Sequence, residues 1–74
     1  MEIANRLKQL RIEANISQAE VAEALDISKT IISQYESGQR IPSLEKLVRL
    51  SRFYKTSLDY LVGNVDNKNE YYSE

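Results

Sequence analysis

The sequence predicts an all-α fold, a compact bundle of five short helices. Three observations carry that expectation. Apolar residues recur at intervals of three and four, the spacing of one helix face. Serine stands just ahead of four such stripes, at Ser17, Ser28, Ser43 and Ser57, and serine is a favoured N-cap. No stretch alternates apolar and polar residues as a strand would, and there is no internal repeat.

The first helix is expected over about Glu2–Ala14. Ile3, Leu7 and Leu10 make its stripe, and Asn15 suits the left-handed residue that ends a helix. Arg6 and Lys8 lie off that stripe, and Arg11 borders it. Ser17-Gln18-Ala19-Glu20 is a capping box, in which the Ser17 hydroxyl and the Glu20 carboxylate each satisfy the other residue's amide. The second helix runs from there to about Leu25, with Val21, Ala22 and Leu25 inward. Asp26-Ile27 is the turn. Ser28 caps the third helix, whose inward residues are Ile32 and Tyr35, and Gly38 closes it. Pro42 biases Ile41 away from helix, so Gln39–Pro42 is a loop. Ser43 caps a fourth helix reaching about Tyr54, with Leu44, Leu47, Val48, Leu50 and Tyr54 as a broad apolar face. Ser57 caps a short fifth helix, Asp59 favours its dipole, Leu58 and Leu61 pack inward, and Gly63 ends it. Residues 1–63 form the domain. Residues 64–74 form a polar tail that is expected to fray, with Tyr71-Tyr72 unusual in such a segment.

Composition excludes several classes of function. Seventy-four residues make one small domain. The chain has no cysteine and no histidine, which removes disulfides, the usual zinc ligands, the commonest general base and the strongest nucleophile. Two glycines, Gly38 and Gly63, cannot build a phosphate-cradling loop. The expectation is a protein that is not an enzyme, with no cofactor, no metal and no small-molecule ligand. No apolar run reaches the length of a membrane span, and there is no signal-peptide core, so a cytoplasmic location with no membrane partner is expected. Net charge is −1. Residues 1–63 carry nine Lys/Arg against eight Asp/Glu, while residues 64–74 carry one Lys against three acids. A local basic face matters more than that total.

The second and third helices, SQAEVAEALDISKTIISQYE over residues 17–36, are short, amphipathic and joined by a tight turn. That is the pattern of a helix-turn-helix, whose second helix enters the DNA major groove. Close crossing of the two helices needs a small residue, which Ala22 supplies, and a branched residue opposite it, which Ile32 supplies. With LKQLR in the first helix, ISQAEVAEAL in the second, ISQYESG ending the third, then IPSLEKLVRLSRFY and SLDYLVG, the chain resembles the Xre family of Cro and phage-repressor proteins. The match spans about Ile3 to Gly63. The resemblance implies a lambda-repressor-like five-helix bundle that binds operator DNA as a homodimer and controls transcription. Asp26 and Asn15 stand where that family commonly has glycine, and Ser51 and Thr56 where it commonly has alanine and valine. Asp tolerates the left-handed region better than most residues.

With Ile32 and Tyr35 inward, the opposite face of the third helix presents Ser28, Lys29, Thr30, Ser33 and Gln34. By resemblance, Lys29, Thr30 and Gln34 stand where family members touch base edges. The chemistry agrees: Gln bonds adenine N6 and N7 together, Lys bonds guanine O6 and N7, and Thr offers a hydroxyl and a methyl. Ser33 is a further candidate, and Ser28 is either a contact or only the cap. Ile31 either presses on a thymine methyl or shields the junction with the fourth helix, and packing is the favoured role. Gln18, at the start of the second helix, is placed to bind a phosphate with the free amides there. Arg40 and Ser43 are candidates for further phosphates, and Arg6 is another. The resemblance implies an ion pair of Arg11 with Glu36 that positions the third helix.

The sequence therefore points to a sequence-specific regulator of transcription that binds double-stranded DNA, a repressor on a near-palindromic operator. One recognition helix reads only a few base pairs, so a homodimer is expected, completed on DNA, with Leu58, Val62 or Val65 at the interface and Tyr60 and Tyr71-Tyr72 extending it. The alternative is a protein-interaction module of the same fold, an antitoxin or anti-repressor partner, for which the acidic pI near 5.4 leaves room.

Overall fold

A computed structural model describes residues 2–68. Five helices follow in order: α1 (Glu2–Glu13), α2 (Gln18–Leu25), α3 (Lys29–Ser37), α4 (Leu44–Phe53) and α5 (Leu58–Leu61). Among the described residues there is no strand, so the fold is the expected all-α helix-turn-helix bundle.

Local chemistry places the helix ends. Ser17, Ser28, Ser43 and Ser57 are all N-caps in extended backbone, each accepting from the amide three residues on. The capping box is complete: Ser17 Oγ accepts from the Glu20 amide at 3.1 Å, and Glu20 Oε1 accepts from the Ser17 amide at 3.0 Å. Four helices stop on a residue in the left-handed region, at Asn15 (φ 58), Asp26 (φ 55), Gly38 (φ 85) and Gly63 (φ 84). Lys55 takes the same conformation after α4 at φ 53, and no side-chain feature of lysine announces it.

The core is one cluster built from every helix: Leu7 and Leu10 of α1, Val21, Ala22 and Leu25 of α2, Ile32 and Tyr35 of α3, Leu47 and Leu50 of α4, and Leu61 of α5. Ile31 packs against this cluster from its edge, the packing role favoured from sequence. Leu44 departs from expectation. It is 69% exposed, at the first position of α4. The two less apolar positions are buried with their hydroxyls satisfied: Ser51 Oγ donates to the Val48 carbonyl at 2.7 Å and Thr56 Oγ1 to the Lys68 carbonyl at 2.6 Å.

Ala22 is buried where α2 meets α3, in the same cluster as Ile32. Replacing it with leucine inserts three carbons into a packed junction. Ala22→Leu is expected to cost about 1–3 kcal/mol and to lower the melting temperature by several degrees. An unchanged thermal midpoint would show that the helices tolerate a wider crossing.

The described part of the segment beyond α5, residues 64–68, is tied to the helices. The Lys68 carbonyl also accepts from the Ser57 amide at 2.9 Å. The Arg6 guanidinium donates to the carbonyls of Tyr60 at 2.8 Å and Val65 at 2.6 Å, and lies 4.2 Å from the centroid of the Tyr60 ring. Arg6 also pairs with Glu2 and Asp66. These bonds hold residues 64–68 against α1 and α5. Tyr71 and Tyr72 lie outside the described residues.

Candidate nucleic-acid interface

The outward face of α3 is polar by construction. Ile32 and Tyr35 fix its inner side, so Ser28, Lys29, Thr30 and Ser33 are exposed and Gln34 is half-buried at the rim. Gln18, Lys29, Thr30, Ser33, Gln34 and Gln39 line one open cleft of about 390 Å³. A smaller depression of about 220 Å³ shares Gln18 and Ser33 with it and is also lined by Lys8, Glu36 and Ser37. Four of the five expected base-contacting residues and one expected phosphate-contacting residue thus share a single concavity. Sequence reasoning did not select Gln39 or Lys8. The polarity of Lys8, off the stripe of α1, was the available signal. Gln39 carried none, because its place depends on the turn at Gly38.

Several of these groups already have protein partners. The Ser28 hydroxyl accepts from the Ile31 amide at 3.1 Å, and Ser43 Oγ from the Lys46 amide at 3.2 Å. Each keeps an O–H to donate. Gln18 Nε2 donates to Glu36 Oε1 at 3.2 Å and retains a second hydrogen. Arg40 Nε donates to Gln34 Oε1 at 3.0 Å. Arg6 stands apart from the cleft: its bonds tie α1 to α5 and the segment after it.

The pose of α3 is fixed at Glu36. Its carboxylate is buried and accepts from Arg11 Nε at 3.0 Å on Oε1 and 2.8 Å on Oε2. Arg11 Nη1 donates to the Ile16 carbonyl at 3.0 Å. Together with the bond from Gln18, the pair ties α1, the loop after it, the start of α2 and the end of α3 at one point. The bond to Glu36 also holds the Arg11 guanidinium pKa above its ordinary value. Nearby, burial first and the Glu36 charge second push the Tyr54 phenol up to about 12, against the opposing pull of Arg11. A further tie links α4 to the helix-turn-helix, where the Arg49 guanidinium donates to the Leu25 carbonyl at the end of α2.

The comparisons with known proteins agree with this geometry. A family model described as helix-turn-helix matches residues 7–61. Over 72 residues the chain is 42% identical to the HTH-type transcriptional regulator ImmR of Bacillus subtilis, covering 95% of this chain and 57% of that protein. It is 40% identical over 63 residues to the HTH-type transcriptional activator BcrR of Enterococcus faecalis, covering 85% of this chain and 31% of that protein. It is 38% identical over 63 residues to the cryptic phage CTXphi transcriptional repressor RstR of Vibrio cholerae serotype O1, covering 85% of this chain and 56% of that protein. The chain therefore spans little more than half of ImmR and RstR, and less of BcrR. The matched residues run from inside α1 to the end of α5 and take in the whole cleft, so the chain belongs to the helix-turn-helix family, of the Xre type.

Proposed function

We propose that the protein is a sequence-specific, double-stranded-DNA-binding regulator of transcription that represses by occupying its operator. The observation that carries this reading is the cleft along α3. Lys29, Thr30, Ser33 and Gln34 stand exposed or at the rim on a helix whose other face is locked into the core. In this reading α3 lies in the major groove, where those four side chains meet base edges, with Ser28 at the helix start. Gln18 and the amides at the α2 N-terminus, with Arg40 and Ser43, hold phosphates. Arg6 is left out, because four of its five N–H donors are engaged by Glu2, Tyr60, Val65 and Asp66, away from the cleft. The names of ImmR and RstR, a regulator and a repressor, support the same class of function.

Recognition by one such helix covers too few base pairs to find a site in a genome, so the functional unit is a homodimer on a near-palindrome. The Cα framework measures 29 × 23 × 22 Å. Two copies side by side suit half-sites one helical turn apart, about 34–36 Å. Leu58 packs against the core and Leu61 is buried in it, so the exposed apolar residues Val62, Ile41 and Leu44 are the better interface candidates.

A gel shift with the DNA upstream of the protein's own gene is expected to give a discrete complex at concentrations that leave unrelated duplex unshifted. Its affinity should fall steeply with salt. No shift, with capture of a protein partner instead, would favour the interaction-module reading. Sedimentation with a palindromic operator duplex should give two protein chains per duplex at saturation. One chain per duplex would sink the dimer.

A further inference from the structure

Gln34 sits on the face assigned to base reading, yet its amide is held in one orientation. Arg40 Nε lies 3.0 Å from Gln34 Oε1. A guanidinium carries only donors, so the oxygen and not the nitrogen of the amide must face it. The contact is built from the backbone outward. Gly38, at φ 85, turns the chain back on leaving α3. The Arg40 amide then donates to the Gln34 carbonyl at 3.2 Å, and the Ser37 hydroxyl donates to the same carbonyl at 3.2 Å. Backbone and side chain of Arg40 thus grip the same residue.

We propose that Arg40 is a positioning residue that sets which base edge Gln34 prefers. The proposal rests on the reading of α3 as the recognition helix and deepens it. Arg40 occupies one of the two lone pairs of that oxygen and keeps the oxygen turned toward itself, so the Gln34 amide presents its two nitrogen donors to the groove ahead of its oxygen. Guanine presents two acceptors there, O6 and N7, whereas adenine presents a donor beside an acceptor and calls for both ends of the amide together. The positive charge of Arg40 acts in the same direction, since it favours the electronegative guanine edge over the adenine amino group. Held Gln34 is therefore matched to guanine. Released Gln34 can turn to adenine, the pairing that the isolated residue type suggests. No side-chain bond among the described residues engages the terminal nitrogens of Arg40, and these remain for a phosphate, so one residue joins the DNA backbone to the base reader.

The test is selection of bound duplexes from a random pool by the wild type, Arg40→Met, Gln34→Ala and the double variant. The base pair that Gln34 reads is the one whose preference Gln34→Ala erases. The ratio of guanine to adenine at that pair is insensitive to a uniform loss of phosphate contacts. The wild type should favour guanine there by about tenfold. Arg40→Met should bring the ratio to about one or below, and should change it no further in the Gln34→Ala background. Wild-type selection of adenine at that pair overturns the proposal. So does an Arg40→Met protein that binds every sequence more weakly with its guanine preference intact, which would leave Arg40 as a phosphate clamp alone. If Gln34→Ala changes no position, the docking of α3 is itself wrong and the proposal falls with it.

Discussion

Arg11→Ala is expected to destabilise the protein by about 3–5 kcal/mol, the cost of leaving one half of a buried ion pair without its partner. The Glu36 side chain is 5% exposed and would keep only the bond from Gln18. The Ile16 carbonyl would lose its donor as well. A small domain has little stability to spare, so most of the loss would appear as unfolding well below the wild-type midpoint. Arg11→Lys should recover only part of it, because an ammonium is a point charge and cannot hold Glu36 and Ile16 with a rigid fork. The double variant Arg11→Met, Glu36→Leu removes both charges. It should be far more stable than Arg11→Ala, since apolar residues of similar volume often replace a buried pair without loss. Urea denaturation of the three proteins checks this. An Arg11→Ala cost below about 1 kcal/mol would place the pair among surface ion pairs of small effect.

Leu61→Ala should have an effect of similar size. Leu61 is wholly buried, with no exposed surface, yet it belongs to a helix of four residues. So short a helix has no stability of its own. It is held by burial of Leu61 in the core and by packing of α5 on α1 and α4. Truncation to alanine is expected to cost about 2–5 kcal/mol and to release α5 and the segment that Arg6 binds. Leu61→Met, which keeps volume, should cost less than about 1.5 kcal/mol. Equal denaturation midpoints for wild type and Leu61→Ala would show that α5 is not part of the cooperative unit.

Most of the fold was legible because its signals are local. A serine N-cap and a stripe of spacing three and four place a helix without knowledge of its neighbours, and all four caps stand where the sequence put them. What was not legible depends on distant residues. Leu44 looks like core in a helical pattern, yet it stands at the first position of α4 and is exposed. Arg6 reads as a surface cation, but the carbonyls it binds belong to residues 54 and 59 positions away. The polar face of α3 followed from the burial of Ile32 and Tyr35. The bond from Arg40 to Gln34 did not, because it needs the chain reversal at Gly38 to bring the two side chains together.

In the proposed docking, the face of α3 carrying Lys29, Thr30 and Gln34 reads DNA sequence. Selection from a random duplex pool, run with the wild type and with Lys29→Ala, tests it most directly. The wild type should enrich two inverted half-sites centred about one helical turn apart. Lys29→Ala should keep that spacing while losing preference at one base pair in each half-site, at a cost of about 1–3 kcal/mol. A pool that emerges unenriched from the wild type, or a consensus that Lys29→Ala leaves intact at every position, would rule out this docking of α3.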